Sequence, residues 1–297
     1  MSAGRWFALA AVAAPMACGG ALEPGSTLSP DGECDLAKPF QQVRELEELK
    51  RYSPGYARLT RDELTIYFSA SGGPGKASAI YVAERVSRSE PFADAKRVNG
   101  LGNVWGPPAG ISADGLHLYL GETMPGAGSE RAYRLRRATR TSGSAEFRLE
   151  SDTLELPYGP NAAVSADESS VLYPDLGPGL ERGLTGRVRA PNGEWGAPSR
   201  VAAGLLGALS EDGKTLVHPY GKGSAPDSVA PGAVGLSTRS SSVEAFAAPT
   251  FVDAWRSEQP SWLSPNGCRL YAYHAVYYSA GPPPVVVAAI WYSERPK

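Results

Sequence analysis

The chain has 297 residues and a formal net charge of −2, so it carries neither the basic surplus of a nucleic-acid-binding protein nor an acidic tail. Its 34 glycines and 26 prolines are high for a helical protein and are typical of many short strands joined by turns. After the N-terminus no apolar run of about 18 residues occurs, so the body of the sequence predicts no membrane span.

The first residues have the pattern of an export signal. Arg5 precedes a short apolar stretch over residues 6–14, and small residues follow it. Cys18, at the end of this stretch, resembles the cysteine that is lipidated in bacterial lipoproteins. We therefore predict a signal peptide with a lipobox over residues 1–18, and an exported protein anchored in the cell envelope by lipid on Cys18. The Gly, Pro and Ser content of residues 19–35 predicts a tether.

The cysteine count leaves two arrangements open. The chain has three cysteines, and if Cys18 carries lipid, Cys34 and Cys268 remain as a possible disulfide in an oxidising compartment. A bond across so long a loop would contribute about 5 kcal/mol in the chain-entropy description. The alternative is two unpaired, buried thiols.

A seven-residue segment recurs five times without gaps. Its first residue is tiny, its third aliphatic, its fourth Ser or Thr, its sixth Asp or Asn, and its seventh Gly or Glu. The five copies cover residues 57–63, 109–115, 162–168, 207–213 and 261–267. The sixth residues are separated by 52, 53, 45 and 54 positions, and an aliphatic residue follows each of them four positions later. This periodicity indicates five copies of one supersecondary unit.

The recurring segment predicts a hairpin. Asp-Gly or Asn-Gly between two apolar runs favours a tight turn, because both residues tolerate positive φ. The preceding Ser or Thr can hydrogen-bond the turn backbone. Glu63 and Glu168 replace the glycine in two copies, which predicts a different type of turn there.

Each unit continues with a third strand and with a fourth strand that begins near an aromatic residue. These third strands lie at residues 80–83, 133–136, 186–189, 234–237 and 290–293, and the aromatic residues are Phe92, Phe147, Trp195 and Phe246. Phe40 lies 22 residues before Asp62, the same spacing as Phe92 before Asp114, so residues 40–46 form a spare fourth strand. The fifth unit lacks a fourth strand. We therefore predict an all-β fold over residues 36–297, a single five-bladed β-propeller of four-stranded antiparallel blades in which the N-terminal strand completes the last blade.

The pattern Ser-x-Asp-Gly-x-x-Leu-Tyr, seen in Ile111–Tyr119 and with Asn in Leu263–Tyr271, resembles the WD40-like repeats of the TolB type. The resemblance covers roughly residues 36–297 and extends to the periplasmic propeller lipoproteins of myxobacteria. It implies the propeller fold and a location in the cell envelope, and it implies no activity.

The sequence offers little catalytic chemistry. It contains no Gly-x-Ser-x-Gly elbow, and His117, His218 and His274 share no metal-binding spacing, so we predict no metal and no cofactor. A glycoside-processing enzyme remains an alternative. Its two carboxylates would have to come from loops, with Glu122 and Asp175 as the candidates, because the innermost strands contain no Asp or Glu.

The remaining candidates for a site are binding residues. Arg58 and Trp262 occupy one column of the first strand, where the other units have Gly or Ala, and either side chain could line or plug the channel. The fifth unit is rich in aromatic residues, and we add Tyr273 and His274 as candidates. We predict a monomeric, non-catalytic propeller that binds an envelope protein or a glycan at one mouth of the ring, touches the membrane only through its lipid, and binds no nucleic acid. A purely structural surface lipoprotein is a further alternative.

Overall fold

Five four-stranded antiparallel sheets make up the fold in the computed structural model. It describes residues 33–71, 78–102, 104, 106–124, 132–176, 182–203, 207–220, 233–252, 259–278 and 285–297. The signal peptide, Cys18 and residues 19–32 of the predicted tether lie outside these ranges. No helix in the described part of the chain is long and apolar enough to cross a bilayer.

The strands follow one another in blade order. The chain begins with β1 (Gln41–Glu45) and a short 3-10 helix (Glu47–Tyr52). Blade one contains β2 (Pro54–Leu59), β3 (Thr65–Ser71), β4 (Ser78–Glu84) and β5 (Lys96–Arg97). Blade two contains β6 (Pro108–Ile111), β7 (His117–Met124), β8 (Ala132–Thr139) and β9 (Arg148–Leu156).

Blade three contains β10 (Ala163–Val164), β11 (Ser170–Leu176), β12 (Arg182–Val188) and β13 (Ser199–Ala203). Blade four contains β14 (Ala208–Leu209), β15 (Thr215–Tyr220), β16 (Ala233–Thr238) and β17 (Thr250–Val252). Blade five contains β18 (Gln259–Leu263), β19 (Arg269–Tyr278) and β20 (Val285–Glu294).

The fourth strand of blade five is β1, which pairs antiparallel with β20 through Gln41 opposite Glu294 and Arg44 opposite Tyr292. The predicted closure of the ring by the N-terminal strand is therefore confirmed. Immediately before β1, Cys34 and Cys268 form a disulfide with Cα atoms 5.7 Å apart. The N-terminal segment is thus attached to blade five both covalently and by backbone hydrogen bonds.

The turns between first and second strands all lie at one end of the ring, which we call the turn face. In each turn the hydroxyl of Ser or Thr donates to the Asp or Asn side chain two residues later, at 2.5–2.8 Å. The residue after this Asp or Asn has a left-handed φ in every copy. The values are 70° at Gly115, 68° at Gly213, 73° at Gly267, 64° at Glu63 and 58° at Glu168. The prediction of a different turn at the two glutamates was wrong, because both glutamates adopt the backbone that glycine adopts elsewhere.

An arginine at the end of each third strand stacks over the aromatic residue that begins the fourth. The five pairs, with the distance from guanidinium carbon to ring centre, are Arg85–Phe92 (4.5 Å), Arg140–Phe147 (4.7 Å), Arg189–Trp195 (5.2 Å), Arg239–Phe246 (4.4 Å) and Arg295–Phe40 (4.3 Å). Such contacts contribute about 0.5–1 kcal/mol or more when shielded from water. The Arg295–Phe40 pair extends this fivefold contact across the closure of the ring.

The core lies between blades. Trp262, Tyr271 and Ile290 of blade five pack against Leu59 and Phe68 of blade one, and equivalent apolar layers separate the other blades. The tiny residues of the first strands are buried at the axis, where neighbouring strands converge too closely for larger side chains. The blades therefore form one continuous ring around a narrow centre.

Candidate functional site

A single arginine closes the centre of the ring. The buried guanidinium of Arg58, on β2, donates from Nε to the carbonyl oxygen of Ala109 (2.9 Å) and from Nη2 to that of Ala162 (3.1 Å). Its Nη1 donates to the carbonyl oxygens of Ala57 (3.1 Å) and Ser261. These carbonyls belong to blades one, two, three and five, so Arg58 ties four innermost strands together across the axis.

Burial lowers the pKa of Arg58 to about 10, which leaves the side chain charged at neutral pH. Backbone carbonyl dipoles surround the charge. The side chain separates a recess of about 450 Å³ on the turn face from a smaller one of about 220 Å³ on the opposite face. The ring consequently has two shallow mouths, each ending at Arg58.

The recess on the turn face has a rim held by contacts between turns. Arg61 of blade one forms an ion pair with Glu211 of blade four (3.4 Å), although these blades are not neighbours. The backbone NH of Ala113 donates to the carbonyl oxygen of Ala166 (2.9 Å), which joins the turns of blades two and three. These contacts narrow the central mouth.

A buried glutamate fills the junction between blades five and one. Glu63, fully buried in the turn of blade one, accepts hydrogen bonds from Arg269 Nη1 (2.9 Å) and from the Tyr271 hydroxyl (3.1 Å), both of blade five. Arg85 Nη2 also donates to the Tyr271 hydroxyl (3.2 Å). Burial raises the pKa of Glu63, while Arg269 and Arg88 oppose the rise. The positive φ of Glu63 thus places a carboxylate where two blades meet.

The junction between blades two and three repeats this arrangement. Glu168 accepts from the Tyr119 hydroxyl and lies 2.6 Å from His117 Nδ1. Arg189 Nη1 donates to the Tyr119 hydroxyl (3.0 Å) and lies 3.4 Å from the carboxylate. Burial, and then the hydrogen bond to Glu168, raise the pKa of Tyr119. The two departures from Asp-Gly in the sequence therefore have one shared structural role.

The junction between blades four and five lacks all three parts of this arrangement. Gly267 replaces the glutamate, Thr215 replaces the His or Arg, and Val217 replaces the tyrosine. A methyl group on Gly267 would meet only Leu36 Cδ2 (3.2 Å) among the described residues, and no atom of blade four. On Gly213, at the neighbouring junction, it would meet Ser170 Oγ of the preceding blade at 2.6 Å. The junction between blades four and five is open at the turn face.

The opening continues as a groove of about 1740 Å³, a volume that includes the open solvent above it. We call it the turn-face groove. Its walls are formed by Leu36, Arg61, Arg88, Asp167, Ser210, Glu211, Asp212, Thr215, Leu236, Thr238, Leu263, Ser264, Pro265, Asn266, Gly267 and Arg295. The walls combine aliphatic and charged side chains, and no aromatic ring of a described residue lines them. It adjoins the central recess, with which it shares the Arg61–Glu211 pair.

The structure separates the four predicted binding residues. Arg58 and Trp262 both line the central recess, and the buried Trp262 ring also packs edge-on against Tyr271, with ring centres 5.5 Å apart. Tyr273 and His274 lie farther along β19, beyond the recess. Tyr273 packs against Tyr56 at 5.0 Å, and His274 against Trp291 at 6.5 Å.

The two candidate carboxylates are engaged within their own blades. Glu122 on β7 accepts from Arg134 Nε (2.6 Å) and lies 3.6 Å from Arg136 Nη1. Asp175 on β11 accepts from the Thr185 hydroxyl (3.1 Å). Neither residue lines the central recess. Within the described ranges no group of three or more His, Cys, Asp or Glu side chains is placed to hold a metal ion.

The fold defines the class as a five-bladed β-propeller. No family model and no curated protein matches the chain. Among solved structures, it is similar to TolB from Acinetobacter baumannii (17% identity, TM-score 0.42, 80% of this chain and 53% of that one), so it spans about half of that protein's length. It is also similar to a protein assigned as TolB from Agrobacterium tumefaciens (12%, 0.44, 86% and 91%) and to the β-propeller domain of the Trilobed protease from Pyrococcus furiosus (14%, 0.38, 74% and 64%).

Proposed function

We propose that the chain is a non-catalytic β-propeller of the cell envelope that binds a partner at its turn face. The observation that carries the proposal is the seal formed by Arg58, whose guanidinium bonds carbonyls from four blades across the axis. Among the described residues, Arg58 separates the two recesses, so they do not join into a through-channel. Binding then falls to the outer surfaces, and the turn face carries the groove.

The contacts of the acidic residues also favour binding over glycoside hydrolysis. That reaction needs two carboxylates about 5–9.5 Å apart on either side of the scissile bond. Glu211 is the one acidic side chain among the described residues that line the central recess, and Arg61 pairs with it. Arginines pair with Glu122 in blade two. In an assay of sugar release from a panel of glycosides, we expect the wild-type protein to show no more activity than the variants Glu122→Gln and Asp175→Asn.

The location that we propose, the cell envelope, is inferred from the N-terminal sequence. We place a signal peptide over residues 1–18, a lipid anchor on Cys18, and a tether over residues 19–35 that ends where Cys34 is bonded to blade five. In cells fed a radioactive fatty acid, the wild-type protein should be labelled and sediment with membranes. Cys18→Ala should be unlabelled and recovered in the aqueous fraction, and labelling of that variant would remove the anchor from the proposal.

Photocrosslinking in the native host tests which face binds. A benzoylphenylalanine in place of Arg61, which is exposed at the turn face, should give a discrete adduct under illumination. The same group in place of Tyr158, an exposed residue after β9 toward the opposite face, is the control and should give none. Adducts from position 158 alone, or from neither position, would overturn the proposed function.

A further inference from the structure

We infer that the turn-face groove takes an extended peptide segment of the partner, with an aliphatic side chain against Leu36 and Leu236 and a lysine or arginine beside Asp212. This inference rests on the proposed function and names the chemistry of the ligand. The groove passes along a blade junction whose inner part is packed, since Val217, Leu263 and Leu270 share one apolar cluster. It is therefore a surface channel suited to a chain lying across it.

The sequence keeps this groove open at three positions. At the junctions of blades five and one and of blades two and three, a glutamate, a histidine or arginine, and a tyrosine occupy the corresponding sites. Gly267 and Thr215 carry short side groups, and Val217 packs below them in one apolar cluster with Leu263 of blade five. Leu236, in register with Val217 on the neighbouring strand, then forms the wall that Arg137 forms in blade two. Leu236 and Leu263 thus give the groove aliphatic walls where blade two has an arginine.

The charges of the groove favour a cationic ligand at its blade-four end. Asp167 and Asp212 line the groove, and within the described ranges no Lys or Arg nitrogen lies within 4.0 Å of either carboxylate. Two arginines of the walls form ion pairs, Arg61 with Glu211 and Arg88 with Glu33 (3.1 Å), and Arg295 donates to the carbonyl oxygen of Gly267 (3.1 Å). The buried Arg239 interacts electrostatically with Asp212 from behind the turn, and the groove side of Asp212 is where a cationic side chain of the ligand would lie.

The same walls favour a peptide over a glycan. Glycan sites use flat aromatic rings as platforms, and no described residue of the groove supplies one. Aliphatic side chains such as Leu36, which is 37% exposed, instead match the aliphatic side chains of a peptide. A carboxylate beside an apolar surface suits a lysine or arginine, whose apolar stem and charged head contact both.

Selection from a phage library of random dodecapeptides tests the inference, with the purified protein as bait. Enriched peptides should combine a Lys or Arg with a nearby aliphatic residue. Gly267→Glu places the side chain of Glu63 and Glu168 into the groove and should weaken binding of a selected synthetic peptide at least about tenfold. Asp212→Asn should weaken it about fivefold, the scale of one exposed ion pair.

The chain provides matched controls for both changes. Gly115→Glu makes the first substitution at a junction outside the groove, and Asp114→Asn makes the second in the turn of blade two. Asn266 shows that an amide can hold this turn, since its Oδ1 accepts from Ser264 and from the backbone NH of Cys268 (3.1 Å). Both controls should bind the peptide as the wild type does.

Three results would overturn the inference: no enriched peptide, enriched peptides whose binding is insensitive to Gly267→Glu, or binding to a parallel glycan array in place of peptides. In each case an adduct from position 61 in cells would still support binding at the turn face. The inference and the proposed function can therefore fail separately.

Discussion

Blade five meets a neighbour on each side, and its two junctions are built differently. Toward blade one, Arg269 and Tyr271 surround the buried carboxylate of Glu63. Toward blade four, Gly267 and Thr215 both line the groove, and a methyl group on Gly267 would meet no atom of a described blade-four residue. The backbone turn is the same on both sides, since Glu63 and Gly267 both have a left-handed φ. The two junctions of blade five therefore differ at this position of the repeat: a buried glutamate packs against the neighbouring blade on one side, and a glycine lies beside the groove on the other.

The largest expected effect comes from removing the disulfide beside the groove between blades four and five. The Cys34–Cys268 disulfide fixes the segment that carries Leu36, one wall of the groove. Replacing both cysteines by alanine should lower the free energy of unfolding by about 5 kcal/mol, because the loop it closes is very long. Urea denaturation of the oxidised wild type and the double variant measures this. A loss below about 2 kcal/mol would show that the strand pairing of β1 with β20 suffices without the bond.

The next largest effect is expected at the junction between blades five and one, where Glu63 is buried. Glu63→Ala removes the buried carboxylate that Arg269 and Tyr271 share, and because Arg269 keeps Glu294 (2.7 Å) the loss of unfolding free energy should be about 3 kcal/mol. The control is Glu211→Ala, which removes a carboxylate from an exposed ion pair with Arg61 and should cost less than about 1 kcal/mol. Similar losses in the two variants would mean that burial does not distinguish the two glutamates.

The pH dependence of the unfolding free energy gives a further test of the buried Glu63. Burial raises the pKa of Glu63 in the folded protein. At pH values between the ordinary glutamate pKa and this raised pKa, the folded protein therefore keeps a proton on Glu63 that the unfolded chain has lost. The stability from this group is complete below the ordinary glutamate pKa and is lost as pH rises through the raised one. The stability of the wild type relative to Glu63→Gln should therefore decline from about pH 4 upward, in urea titrations at several pH values. A relative stability that increases with pH would contradict the direction of the shift.

The smallest effect comes from putting the missing glutamate back. Gly115→Glu and Gly267→Glu both place a side chain at a left-handed φ, which costs about 1 kcal/mol. At position 115 the new carboxylate meets Tyr67 and Arg140, which already interact, so thermal unfolding should change little. At position 267 no described residue of blade four offers a partner, and the cost should remain. Equal melting temperatures for the two variants would mean that contacts in the groove offset the cost of the left-handed φ as well as Tyr67 and Arg140 do at position 115.

The periodic features of the fold could be predicted from the sequence. The recurring turn, the number of blades and the spare strand at Phe40 follow from spacing alone, because each unit repeats one local pattern. The arginine of each Arg–aromatic pair was missed, although its signal is visible: the arginine precedes the phenylalanine by seven residues in Arg85–Phe92, Arg140–Phe147 and Arg239–Phe246.

The contacts between blades could not be read in the same way. Glu63 meets Tyr271, which is 208 residues away, so its unfavourable φ is compensated by a partner that no local pattern identifies. The column of the first strand names Arg58 as a residue that could line or plug the channel, but its four carbonyl partners depend on how the strands converge. The columns do not reveal the groove either, because Gly213, Ser170 and Leu172 occupy the same three positions at the junction of blades three and four, where a methyl group on Gly213 would meet Ser170 Oγ at 2.6 Å.

A pair of equivalent threonines gives the most direct test of the open junction as the binding surface. Thr238 lies in the groove opposite Thr215, and Thr139 occupies the same place opposite His117 at a filled junction. With benzoylphenylalanine at either position in the native host, position 238 should crosslink to one partner, in a peptide bearing a Lys or Arg that mass spectrometry identifies. Position 139 should stay unreacted. Equal adducts at both positions, or an adduct at 139 alone, would contradict the claim that the groove between blades four and five is the binding surface.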